Sequence, residues 1–164
     1  RNLIELLTAE GSEIYINDVN QEKITTIKEK YNVKCIHDDI YNSDIDIYAP
    51  CALGGTLNEH TIPQLKCAIV AGAANNQLAK EYIHDDLLVK HNILYAPDFL
   101  INAGGLINVY SELKGFSESQ VKQKTEKIFD TTIAILKKSE KDNISSQKAA
   151  LQIAKERVFK TQSA

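Results

Sequence analysis

Apolar positions along this 164-residue chain follow two periods. In residues 1–10 they stand at 3, 4, 6 and 7, the spacing of one helical face, and Gly11 is placed to end that helix. Glu13-Ile-Tyr-Ile-Asn-Asp18 alternates instead and is rich in β-formers, so it predicts a strand. Asn20 is placed to cap a helix running to about Tyr31, with Ile24, Ile27 and Tyr31 on one face. Val33–Ile36, Ile45–Ala49, Ala68–Ala71 and Ile93–Ala96 predict further strands. Residues 59–65 predict a short helix interrupted by Pro63, and Gln77–His91 a longer one. From Ala103 onward the pattern holds no strand. Three helices are expected there, at about 104–114, 118–138 and 145–160, then a frayed tail at 161–164. Ser117 and Gln120 have capping-box spacing.

Strands alternating with helices predict an α/β fold, a Rossmann-like parallel sheet flanked by helices, with a helical C-terminal third. Three of the strands end alike. Pro50 stops the first, and Cys51-Ala-Leu-Gly-Gly55 follows. Ala68-Ile-Val-Ala runs into Gly72-Ala-Ala-Asn75. Ile93-Leu-Tyr-Ala-Pro-Asp98 leads to Asn102-Ala-Gly-Gly105. Open α/β sheets bind ligands beyond the carboxyl edge of such strands, where small loops present backbone N–H groups. These three loops are therefore the expected binding rim.

Composition narrows the partners. Hydrophobic residues make up 43% and charged residues 25%, close to globular averages, and disorder is not expected. A net charge of −3 disfavours nucleic acid, whose binders carry a basic face. No apolar run reaches the roughly 20 residues of a membrane span. The three cysteines, at 35, 51 and 67, form no C-x-x-C pair, which disfavours zinc and predicts free thiols in a cytoplasmic protein. The chain has no Met and opens as if inside a helix, so it reads as a piece of a longer protein.

Several residues are candidates for chemistry. Asp18 ends a strand just before a helix, where dinucleotide folds place the acid that accepts the adenosine ribose hydroxyls. It also fits a turn-forming Asp, and the rim loops downstream favour the ribose reading. The G-x-G-x-x-G turn belongs about 20 residues before that acid, which falls ahead of Arg1, so the fold is expected to be truncated at its glycine loop. Cys51 reads as a small buried thiol, and the histidines at 37, 60, 84 and 91 as solvated. Asn102 fits either a site residue or a cap for the next helix. No rim loop offers Lys or His, and Asp98 is its one carboxylate. A partner domain is therefore expected to supply the acid–base chemistry.

Four ordered motifs carry a resemblance: Ala49-Pro-Cys-Ala-Leu-Gly-Gly55, Thr61-Ile-Pro-Gln-Leu65, Val70-Ala-Gly-Ala-Ala-Asn-Asn-Gln-Leu78 and Tyr95-Ala-Pro-Asp-Phe-Leu-Ile-Asn-Ala-Gly-Gly105. Together they resemble the cofactor-binding domain of the glutamate/leucine/phenylalanine/valine dehydrogenase family, in its leucine-acting branch. The likeness runs from about residue 1 to about residue 158. It implies reversible oxidative deamination of an L-amino acid to a 2-oxo acid, ammonia and NADH, with NAD as cofactor and a homo-oligomeric assembly. It implies that Asp18 binds the adenine ribose, and that Cys51 and Ala52 line the adenosine side. Ala71, Gly72 and Ala73 would form the turn near the nicotinamide, Asn75 would lie near its ribose, and Asn102 would contact the substrate carboxylate. The family's catalytic lysines and aspartate belong to an N-terminal domain and match no position here. Ser145-Ser-Gln-Lys148 falls near the family's side-chain pocket and is more polar than leucine would call for.

Overall fold

The first helix, α1 (Asn2–Ala9), ends where Gly11 was expected to end it. Gly11 takes φ 77°, and the N–H groups of Gly11 and Ser12 donate to the carbonyls of Thr8 and Leu7 at 3.1 and 3.0 Å. That is the paired closure of a left-handed glycine cap. The computed structural model describes residues 1–37 and 39–162, the last three by their backbone alone.

Two compact units divide the chain, residues 1–43 and 44–164. In the first, β1 (Ile14–Ile16) and β2 (Val33–Cys35) pair in parallel, joined by α2 (Gln21–Lys30). The Asn20 side chain accepts from the Lys23 N–H at 3.1 Å and caps α2 as expected. Ile14, Ile24 and Val33 are buried there, while α1 has no buried residue.

In the second unit, β3 (Ile47–Tyr48), β4 (Ile69–Val70) and β5 (Leu94–Tyr95) form a parallel sheet in that order. Tyr48, Val70 and Tyr95 stand in register across it and are all buried. The row beside them is more open, with Ile47 and Leu94 exposed. A 3-10 turn at Ile62–Gln64, not an α-helix, links β3 to β4, because Pro63 has no N–H for an interior helical bond. The expected single sheet is thus two, of two and three strands, with no ladder between them among the described residues.

Helix α3 is shorter than expected and spans Glu81–Lys90. Residues 77–79 stay extended, since Leu57 bridges Leu78 and the Ala79 N–H donates to the Leu57 carbonyl at 3.0 Å. After β5 come α4 (Asp98–Ile101), α5 (Gly104–Lys114), α6 (Glu118–Asp142) and α7 (Ser146–Gln162). The Ser117–Gln120 capping box is present in both directions. Helix α6 outruns its expected end by a turn, which the Lys138–Asp142 pair spans at 2.6 Å, and stops at Asn143 in left-handed conformation. Ile135, Ala149 and Ala150 form the core between α6 and α7, with Leu100, Ile144 and Ile153 packed against it. Helix α7 continues through 161 and 162; the rest of the expected frayed tail, 163–164, lies outside the described residues. No helix is long and apolar enough to cross a membrane among the described residues.

Candidate functional site

The loops after β3 and β4 interlock because two glycines let their backbones touch. A Cβ on Gly72 would stand 2.1 Å from the Pro50 carbonyl oxygen and 2.5 Å from its nitrogen. A Cβ on Gly54 would stand 2.6 Å from the Asn75 carbonyl oxygen. Neither glycine has positive φ, so their role is close approach, whereas Gly55 (φ 70°) also needs left-handed freedom. The Ala71 N–H donates to the Tyr48 carbonyl and the Ala74 N–H to the Pro50 carbonyl, both at 3.0 Å. Gly72 and Ala73 are thereby held between two anchored residues.

Behind this loop lies Gln77, fully buried. Its Nε2 donates to the carbonyls of Gly72 (2.6 Å) and Ala74 (3.0 Å). Its backbone N–H donates to Asp98 Oδ2 at 2.8 Å, and the Phe99 N–H donates to Asp98 Oδ1 at 2.7 Å. Asp98, the expected rim carboxylate, is therefore a buried brace at the head of α4 and not a free base. The Asp98 N–H also reaches the Tyr95 hydroxyl at 3.3 Å. Burial first, and then the Asp98 charge, push the Tyr95 phenol well above its ordinary range. The phenol stays neutral.

Asn102 stands at the end of α4, and its side chain does not cap α5, whose N-cap is Ala103. Instead its Nδ2 donates to Asn75 Oδ1 at 2.6 Å, with a longer reach of 3.5 Å to the Ala74 carbonyl. The two sequence-singled amides are thus directly joined. With one Nδ2 proton given to Asn75 and the second held only weakly by the Ala74 carbonyl at 3.5 Å, that second proton and the Nδ2 of Asn75 are the donors a ligand can take. Both border an open cleft of about 580 Å³, also lined by Phe99, Ala103, Leu106 and Val109. Gly104 and Gly105, at the start of α5, would meet nothing within 4 Å if they carried a Cβ, so packing does not require glycine there.

The remaining candidates fall elsewhere. Cys51, expected to be buried, is exposed, with Ala52 exposed beside it on the loop after Pro50. The buried thiol is Cys67, whose pKa burial raises. Asp18 lies in the first unit, half-buried after β1. Its Oδ1 accepts the Asn20 N–H at 2.8 Å, the turn-forming role, and this leaves Oδ2 for a ligand hydroxyl. The Asn17 side chain latches the same loop to the Ile36 carbonyl at 2.7 Å. His84, expected to be solvated, is 1% exposed. Its Nδ1 accepts the Lys80 N–H at 3.0 Å and its Nε2 donates to Glu59 Oε2 at 2.8 Å, which pins the start of α3. The polar stretch 145–148 is an anchor: Ser145 donates to Asp85, Ser146 to the Tyr95 carbonyl, and Lys148 Nζ to Asp86 at 2.6 Å.

The family model for Glutamate/Leucine/Phenylalanine/Valine dehydrogenase matches residues 6–164. The chain belongs to that family. It is 42% identical over 159 residues to an L-tryptophan dehydrogenase of Nostoc punctiforme, covering 96% of this chain and 45% of that protein. It is 44% identical over 158 residues to leucine dehydrogenase of Bacillus subtilis (strain 168), covering 96% and 43%. The crystal structure of L-tryptophan dehydrogenase from Nostoc punctiforme superposes with a TM-score of 0.93 at 41% identity, covering 97% of this chain and 48% of that one. The chain thus spans less than half the length of the dehydrogenases it matches.

Sequence reasoning missed Gln77 as a site element. It stands inside the family motif of residues 70–78, but helical periodicity assigned it to α3. Its signal was an amide directly after Asn75-Asn76, at the start of a segment that pairs with Leu57.

Proposed function

We propose that this chain is the NAD-binding part of an amino-acid dehydrogenase that oxidatively deaminates L-leucine or another branched-chain amino acid. Membership of the family supports the reaction class. The observation that carries the assignment is the Asn75–Asn102 amide pair on an open cleft with an apolar wall. Amide N–H donors suit a substrate carboxylate without adding a competing charge. Phe99, Leu106 and Val109 suit an apolar side chain, and no cation stands among the cleft-lining residues to hold a second carboxylate.

The residues present fit the cofactor. Asp18 keeps one carboxylate oxygen for ribose hydroxyls, and its charge opposes the extra phosphate of NADP. Cys51, Ala52 and Ala73 are small and exposed, on loops whose backbones leave no room for larger side chains at Gly54 and Gly72. When bound, NAD accepts a hydride from the substrate α-carbon. This chain's part is to hold and orient, and the acid–base groups come from elsewhere in the complete enzyme. The reading includes a cytoplasmic homo-oligomer, which rests on the resemblance alone.

The test is NADH formation by the full-length enzyme with leucine, valine, isoleucine, phenylalanine, tryptophan and glutamate. Branched-chain substrates should lead. Glutamate leading would overturn the apolar assignment, and tryptophan leading would move the substrate to the aromatic class. Asn102→Ala should raise KM for the amino acid, with a loss of about 1.5–3 kcal/mol for a hydrogen bond to a charged carboxylate. Asp18→Ala should raise KM for NAD and narrow its preference over NADP.

A further inference from the structure

We propose that Gln77 is a positioning residue that sets the Asn75–Asn102 amide pair through a closed ring of hydrogen bonds. The inference rests on the proposed role of that pair in binding the amino acid. The ring starts at the Gln77 side chain, which holds the carbonyls of Gly72 and Ala74 and so fixes the approach to Asn75. It leaves through the Gln77 backbone N–H to Asp98 Oδ2. The Asn102 N–H then donates to the Asp98 carbonyl at 3.0 Å. It closes where Asn102 Nδ2 meets Asn75 Oδ1.

A role in filling space alone does not explain this residue. Gln77 Oε1 is buried and has no partner. A hydrocarbon side chain of similar length would fill the volume without stranding an acceptor, which folding disfavours. What an amide adds is two N–H donors, and both go to the loop that carries Asn75. The two loops linked by Gln77 hold the two amides facing the cleft. A small displacement of either loop would rotate one amide away from its partner, and misplacement on the ångström scale is enough to lose binding and rate.

The test is a double-mutant cycle in the full-length enzyme, with Gln77→Met, Asn102→Ala and the pair. Gln77→Met keeps the length and loses both side-chain donors. It should raise KM for the amino acid about tenfold or more. In the Asn102→Ala background the same change should add less than about threefold, because residues acting through one network do not add. Effects that multiply, or a lowered Tm with unchanged KM, would overturn the proposal. If Gln77→Met does not fold, Asp98→Ala removes the acceptor of the Gln77 N–H, opens the same ring from its other side and is read in the same cycle. A second readout does not depend on turnover. The Asn102 side-chain amide proton bonded to Asn75 should move, in the NMR spectrum of Gln77→Met, to the position of solvated Asn amides. If no amino acid is oxidised by the parent enzyme, the functional reading fails, and this shift still decides the role of Gln77. An unmoved resonance would refute it.

Discussion

The two units of this chain reach their structures by different means. Residues 1–43 bury Ile14, Ile24 and Val33 and otherwise rely on local devices: a glycine closure after α1, the Asn20 cap and the Asp18 turn. Residues 44–164 enclose Leu57, Ile62, Val70 and Leu88 completely and bury Gln77, His84, Asp85 and Asp98 among them. The side chains of His84, Asp85 and Asp98 each have a hydrogen-bond partner from a distant segment, while that of Gln77 holds the carbonyls of Gly72 and Ala74 just before it. The contrast separates local signals from long-range ones. A unit near 40 residues has little area to bury and is marginal by itself. The larger unit can bury polar groups because its apolar core supports the cost.

Breaking the larger core should give the largest effect. Leu88 is 0% exposed, and Leu88→Ala should destabilise by about 2–5 kcal/mol in denaturant unfolding, through lost burial and the cavity left. A loss under about 1 kcal/mol would mean that residues 44–164 do not form one cooperative core.

The buried carboxylate gives the next effect. Burial pushes Asp85 up to about 6, against an ordinary 3.8, although Ser145 donates to it. A folded-state pKa above the unfolded one means its stabilising contribution is full below about pH 4. That contribution is lost as pH rises through about 6. A shift of about two units amounts to roughly 3 kcal/mol at most. Unfolding free energies measured from pH 4 to 8 should therefore separate wild type from Asp85→Asn, with the variant gaining relative stability as pH rises. Parallel curves would show that Asp85 titrates as an ordinary carboxyl.

A matched pair of glycine substitutions tests loop interlocking. Gly72→Ala drives a methyl into Pro50 and should cost about 1–3 kcal/mol and weaken nucleotide binding. Gly104→Ala meets open space at a helix start and should change stability by less than about 1 kcal/mol. Equal effects would remove the distinction between a glycine for close approach and one without that demand. The smallest effect belongs to the first unit: Asn20→Ala should cost about 1 kcal/mol, read as faster amide exchange in α2 and little change in β3–β5.

Legibility followed the range of the interaction. Asn20, Gly11 and the Ser117–Gln120 box were readable because a cap needs partners only three or four residues away. Strand positions were readable from runs of β-formers, although Pro50 and the loop pairings left fewer ladder residues than the runs suggested. The start of α3 was misplaced because residues 77–79 pair with Leu57, and no local signal marks a partner twenty residues away. His84 looked like a surface residue because Glu59, which accepts its Nε2–H hydrogen bond, is remote in sequence.

By itself, the sequence determined the alternation of strands and helices, the three small-residue loops, and the family through four ordered motifs. These depend on periodicity, on backbone chemistry within a few residues, and on the identity of side chains. Only the tertiary structure decided that Asn102 joins Asn75 and does not cap α5, that Asp98 is a brace and not a base, and that Gln77 ties the two loops together. Each of these is a hydrogen bond across more than twenty residues or into a buried loop. Each needs partners that only the fold brings together, and for the buried Gln77 and Asp98 also exclusion from water, which no single stretch of sequence carries.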